Sequence, residues 1–107
     1  MMMDSPREMK TYAIRRNNAW QSPAEVEQVA GRSKQVADDD FPSDIRWIRS
    51  YVIAEEDATL GSVCIYQAVS PEAIRRHAER VGMPADEIWT VGDTVVIRPD
   101  PVKEAVA

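Results

Sequence analysis

Two serine–proline pairs, Ser22-Pro23 and Ser70-Pro71, limit what this chain can fold into more than any other feature. A serine ahead of a helix accepts a hydrogen bond from one of the first backbone N–H groups. A proline in the next position loses nothing, because its missing N–H would have had no partner there. Each pair therefore marks a helix start. At the first, Glu25 can reach back and complete a capping box. Val26, Val29, Ala30, Ser33, Val36 and Ala37 then recur at three-and-four spacing and give that helix one apolar stripe. Asp38-Asp39-Asp40-Phe41-Pro42 ends it; three acids there oppose the helix dipole, so a weak last turn is expected. After the second pair, Ile74, His77, Ala78 and Val81 form the stripe. Gly82 supplies the residue just past the helix, and Pro84 prevents continuation.

The segments around these helices read as strands. From Lys10 to Arg16, Tyr12 and Ile14 point one way and Thr11 and Ala13 the other. Asn17 to Gln21 reads as a loop. Ile45–Ile53 and Gly61–Ala68 are strands joined by the polar turn Ala54–Thr59, which makes a hairpin. A fourth strand starts at Ile88 and continues to Ile97, with a bulge at Gly92. Residues 1–9 are expected to fray, and the tail over 99–107 to be disordered or to cross to a partner, which leaves the domain at 10–98. The order β-α-β-β-α-β makes the fold α+β: a ferredoxin-like, four-stranded antiparallel sheet with both helices on one face.

Such a sheet, alone in water, shows a polar outer face. Here both faces are apolar. Strict alternation puts Trp47, Tyr51 and Ile53 on one face of the second strand and Ile48 and Val52 on the other. Val63 and Ile65 likewise oppose Cys64, Tyr66 and Ala68 on the third. A second copy stacked face to face across a two-fold axis, as in dimeric α+β barrels, is the expected cover, with Trp47, Tyr51 and Ile53 toward it; the alternative is that the C-terminal tail folds over this face. At 107 residues the chain makes one small domain, which a homodimer would help to stabilise.

A net charge of −5 and a pI near 4.8 supply no basic footprint for nucleic acid or an anionic membrane, so neither is an expected partner. Cys64 is the single cysteine, which fits a reducing cytoplasm. The first residues lack a signal-peptide pattern, and no apolar run is long enough to span a bilayer.

No glycine-rich phosphate loop, paired-cysteine motif or HExxH motif is present. His77, the only histidine, lies on the apolar stripe of the second helix. There it could ligate a metal or serve as an acid–base group, or it could be a core histidine bonded to Ser50 or a backbone carbonyl. Cys64 reads first as an inert small hydrophobe; a lowered pKa would make it a nucleophile, and a soft metal would find it a ligand. Ser50, Tyr51 and Tyr66 flank it in the hairpin, and Trp20, Trp47 and Trp89 could line a pocket. Asp38 to Asp40 reads as a solvated helix end rather than a cation site, since no calcium-loop spacing follows.

The W-x-x-S-Y of Trp47 to Tyr51, the C-x-Y of Cys64 to Tyr66 and the H-A-x-x-x-G-x-P of His77 to Pro84 together resemble the domain-of-unknown-function 4242 family, over about Lys10 to Val96. That family includes small dimeric nickel-binding proteins of ferredoxin-like fold. The resemblance implies a divalent metal such as nickel, with His77, Cys64 and Tyr51 as matching ligand positions. Gln67 and Thr90 stand where the family pattern has acids, which removes hard oxygen ligands.

Three functions compete. The first is a dimeric metal-binding protein without catalysis. The second is a small-molecule binder or enzyme of the dimeric α+β barrel kind (oxygenase, isomerase or cyclase), with His77 as acid–base residue and Ser50 and Tyr66 in the substrate pocket. The third is a non-catalytic interaction module.

Overall fold

The computed structural model describes residues 8–101. It contains β1 (Lys10–Trp20), α1 (Pro23–Asp40), β2 (Ile45–Ala54), β3 (Leu60–Ala68), α2 (Pro71–Val81) and β4 (Glu87–Thr90). The strands form one antiparallel sheet in the order β2-β3-β1-β4, and both helices cover the same face. This is the expected ferredoxin-like arrangement. No described helix is long and apolar enough to cross a membrane. The parts of the expected frayed start and tail at 1–7 and 102–107 lie outside the described residues.

Both helix starts form as the sequence dictates. Ser22 Oγ accepts from the Glu25 N–H at 3.3 Å, and Ser70 Oγ from the Ala73 N–H at 3.1 Å. Glu25 reaches back to the Gln21 N–H at 2.9 Å. Gly82 ends α2 with φ +86, and its N–H and that of Met83 both close on the Ala78 carbonyl. The acidic end of α1 is not frayed: the helix runs to Asp40, with Arg80 paired to Asp40 at 2.9 Å and Lys34 to Asp38 at 2.8 Å. These cations offset the unfavourable dipole interaction.

Three expectations about the strands are corrected. β1 does not stop at Arg16. After an irregularity it resumes at Trp20, which pairs with Leu60, and Asn18 takes the positive φ of 46 that the bend needs. β4 ends at Thr90, not Ile97. It pairs with β1 only over Tyr12 to Arg15, and once the Val91 N–H has bonded the Thr11 carbonyl the start of β1 is reached. The chain then crosses back, and Asp100 bonds the Tyr51 hydroxyl at 2.8 Å and pairs with Arg49 at 3.1 Å.

The third correction concerns β2. Trp47 faces Tyr66 and Arg49 faces Ile65, so Ile48 is an extra residue, a bulge. One inserted residue flips every later side chain relative to the earlier ones. Trp47 therefore lies on the helix side with Ser50 and Val52. Ile48 lines the outer face with Arg49 and Tyr51.

The core sits between sheet and helices and is built on Tyr12, Ile14, Cys64, Tyr66 and Ala68 from the strands and Ala37, Ala73 and Ile74 from the helices. α2 buries its whole stripe, including Ile74, His77, Ala78 and Val81. α1 buries only Ser33 and Ala37. Val26, Val29 and Ala30 are left half-buried over the β2–β3–β1 end of the sheet.

Candidate ligand pocket

Alternation along the strands sets the floor of this gap. On β1, Tyr12, Ile14 and Arg16 all point to the helices and are buried. Register then places Ser62 opposite Arg16 and between it and Val52. The next row holds Ser50 opposite Cys64, and the one after it Trp47 opposite Tyr66. Over these rows lie Val26, Val29, Ala30 and Ser33 of α1, and together they enclose a cavity of about 50 Å³ that opens to solvent.

Arg16 dominates this cavity. Its side chain has no exposed surface, and none of its three guanidinium nitrogens has a hydrogen-bond partner among the described residues. The guanidinium carbon lies 5.9 Å from the centroid of the Tyr66 ring, a contact between cation and ring face. Among the described residues no carboxylate lines the cavity, and Arg16 is the only charge in its walls. Its chain neighbour is the contrast. Arg15 points to the other face and holds both carboxylate oxygens of Glu55 through Nη2, each at 3.0 Å. The Asn18 N–H, and then Arg15, hold Glu55 below the usual carboxylate range against some desolvation.

Hydroxyl groups complete the polar part of the cavity. Trp47 Nε1–H donates to Ser50 Oγ at 2.8 Å, which leaves the Ser50 proton free to donate elsewhere. Ser62 Oγ and Cys64 Sγ are 3.3 Å apart, and so are Ser33 Oγ and the Tyr66 hydroxyl. Burial pushes the Tyr66 phenol above its ordinary value, outweighing the opposing pull of the Arg16 charge. Tyr66 is thus a neutral O–H donor at neutral pH.

His77 is not part of the cavity wall. It is fully buried beneath Ser33, Phe41 and Tyr66. Nε2 lies 2.9 Å from the Ser33 carbonyl, an acceptor only, so Nε2 carries the proton and Nδ1 bears a lone pair. Nδ1 has no partner among the described residues. Burial pushes the imidazole below its ordinary value of 6.5; the Ser33 carbonyl resists this and the Arg16 charge adds to it. The backbone-carbonyl arrangement is the one found, and Ser50 instead serves Trp47.

The residues matching the family's ligand positions are therefore dispersed. His77 lies in the core, Cys64 in the cavity wall, and Tyr51 on the opposite face of the sheet with Asp100. Among the described residues no three His, Cys, Asp or Glu side chains stand together as a metal would require. Arg16 makes the local field hostile to a cation as well. The donor set of one chain does not fit a nickel ion. Ser50, Tyr66 and Cys64 do come together, joined by Trp20 and Trp47, whereas Trp89 lies across the sheet beside Ala13. Arg16, Ser33 and Ser62 are cavity residues that motif reading passes over. Arg16 does carry a signal, since it continues the inward phase of Tyr12 and Ile14.

The fold matches the crystal structure of SCO4226 from Streptomyces coelicolor A3(2), with a TM-score of 0.63 and 21% identity, over 79% of this chain and 99% of that one. At that identity the likeness speaks for the fold. No curated protein sequence matches the chain. The family model described as nickel responsive protein SCO4226-like matches residues 12–91, the span from the first inward tyrosine to just past β4. The comparisons support the nickel-linked kind of family implied by the motifs, without the name domain-of-unknown-function 4242. The chain belongs to the SCO4226-like family of nickel responsive proteins.

Proposed function

We propose that this chain is a small-ligand-binding protein that works as a two-fold homodimer in the cytoplasm, with its ligand in the cavity under α1. The observation that carries the reading is Arg16, a buried cation on the wall of an open cavity with no counter-charge among the described residues. Burying an ion unpaired costs several kcal/mol, and folded proteins retain such groups chiefly where they are used. The dimer is supported by the outer sheet face, where Ile48, Tyr51 and Trp89 are 40%, 42% and 47% exposed. An apolar patch of this kind on a small domain marks an interface. His77, tied to Ser33 and shut off from the cavity, is not assigned an acid–base role.

Nickel enters through the family's description, and it ranks second because the donors of one chain are dispersed. Fragment screening by NMR tests the first reading. The indole N–H signals of Trp20 and Trp47 report on the cavity, and that of Trp89 on the outer face. Ligands that move the first two and spare Trp89 support the proposal; a screen in which only Trp89 responds overturns it. Native mass spectrometry reads the dimer. After equilibration with nickel chloride and desalting, metal-free protein is expected, and stoichiometric nickel lost in His77→Ala would reverse the ranking.

A further inference from the structure

We propose that the cavity under α1 takes a small monovalent carboxylate, held through its two oxygens by Arg16 and the hydroxyls of Ser50 and Ser62, with a short apolar tail against Trp20 and Val26. This rests on the reading that the cavity is the ligand site, and it names the ligand's class.

Charge decides first. A cationic ligand meets Arg16 with no acid among the lining residues to receive it. A neutral ligand leaves the guanidinium buried and uncompensated. A dianion leaves an excess negative charge in a mostly apolar cavity of a chain whose net charge is already −5. Only a monoanion brings the site to neutrality.

Geometry decides next. A guanidinium presents parallel N–H groups that match the two oxygens of a planar carboxylate. In this chain Arg15 grips both oxygens of Glu55 through Nη2, and among the described residues no acid reaches Arg16. Ser62 stands directly opposite Arg16 across the β1–β3 pair, and the Ser50 proton is free to donate one row away. Both can serve the remaining lone pairs of a carboxylate.

Size sets the rest. A cavity of about 50 Å³ holds on the order of four waters, which is the room for an anion of roughly four to six heavy atoms. Propionate is of that size, and its methyl end would meet the indole and valine walls.

The test is a titration of the full chain with sodium propionate, propionamide and propylammonium chloride at constant ionic strength, followed by calorimetry and by the Trp20 and Trp47 indole signals. Propionate is expected to bind saturably, and propionamide about tenfold or more weaker, the scale of one lost charge-assisted hydrogen bond. Arg16→Met should abolish propionate binding, Arg16→Lys should retain a weaker form of it, and Ser50→Ala should weaken it with the fold intact. Equal binding of propionate and propionamide, or propionate binding that survives in Arg16→Met, overturns the carboxylate assignment and leaves the cavity reading standing. Preference for propylammonium does the same. If no compound of any charge moves the cavity indoles, both proposals fall.

Discussion

Replacing Arg16 by methionine should make the ligand-free protein more stable. The native side chain is fully buried, and its guanidinium nitrogens have no hydrogen-bond partner among the described residues. It carries a desolvation penalty of several kcal/mol. Against this stands one contact with the Tyr66 ring at 5.9 Å, near the outer limit of such contacts and worth about 0.5–2 kcal/mol. Methionine keeps an unbranched apolar stem against the same wall and removes the charge. Because the cavity already opens there, the atoms lost create little new void. Replacing buried ion pairs by apolar residues of similar volume is often neutral or stabilising by about 1–4 kcal/mol, and the loss of the cation–ring contact puts the expectation here at about 1–3 kcal/mol. For a domain of this size each kcal/mol moves the midpoint by about 4–8 °C. Urea and thermal unfolding at fixed protein concentration, in a buffer free of carboxylates, measure the difference. Propionate should then stabilise the wild type in proportion to the logarithm of its concentration and leave the variant unchanged. A variant less stable than the wild type by more than about 1 kcal/mol would refute the reasoning. Arg16 would then be a structural residue whose charge is compensated.

Three further outcomes follow from the packing. At Gly61 an added Cβ would collide with the Glu55 carboxylate and the Arg16 carbonyl oxygen, the latter fixed in β1, so Gly61→Ala should break the Arg15–Glu55 pair and cost about 1–3 kcal/mol in urea unfolding; an unchanged midpoint would count against the close β1–β3 approach. Ser70→Ala removes the acceptor for the Ala73 N–H and should cost about 1 kcal/mol by the same assay, and no loss would show that the α2 cap contributes nothing. Stability should fall with acid in two stages. Burial lowers the His77 pKa, so its unfolded form takes up a proton first, and stability that is full above pH 6.5 declines as pH falls from there toward the folded value. Glu55, lowered chiefly by the Asn18 N–H, adds stability that is lost only below its ordinary value of 4.5. Urea midpoints taken from pH 8 to pH 3.5 read both stages, and His77→Gln should remove the upper one alone; an upper stage that persists in that variant would assign it to another group.

The helix starts are written in the sequence because each depends on a few adjacent residues. Ser22 and Ser70 cap through atoms three residues away, and no distant contact need intervene. Strand register is different. The bulge at Ile48 lies between tryptophan and arginine with no glycine or proline to announce it, yet it moves Trp47 to the helix side, with Ser50. The end of β4 was illegible for a related reason. Val91 to Ile97 would suit a strand by residue type, and pairing stops because β1 does. The site illustrates the same division. His77 attracts attention through its chemistry, but its ring is committed to the Ser33 carbonyl. Arg16 continues the phase of Tyr12 and Ile14, a signal that motif reading passes over because the first strand reads as ending there. What the sequence could not reveal is which arginine lacks an acid. Arg15 and Arg16 are neighbours, and Glu55 in the β2–β3 turn is within reach of only one of them, because successive residues of a strand face opposite ways. The parity of β1 thus gives one arginine an ion pair on the outer face and turns the other into the cavity, where no acid among the described residues reaches it.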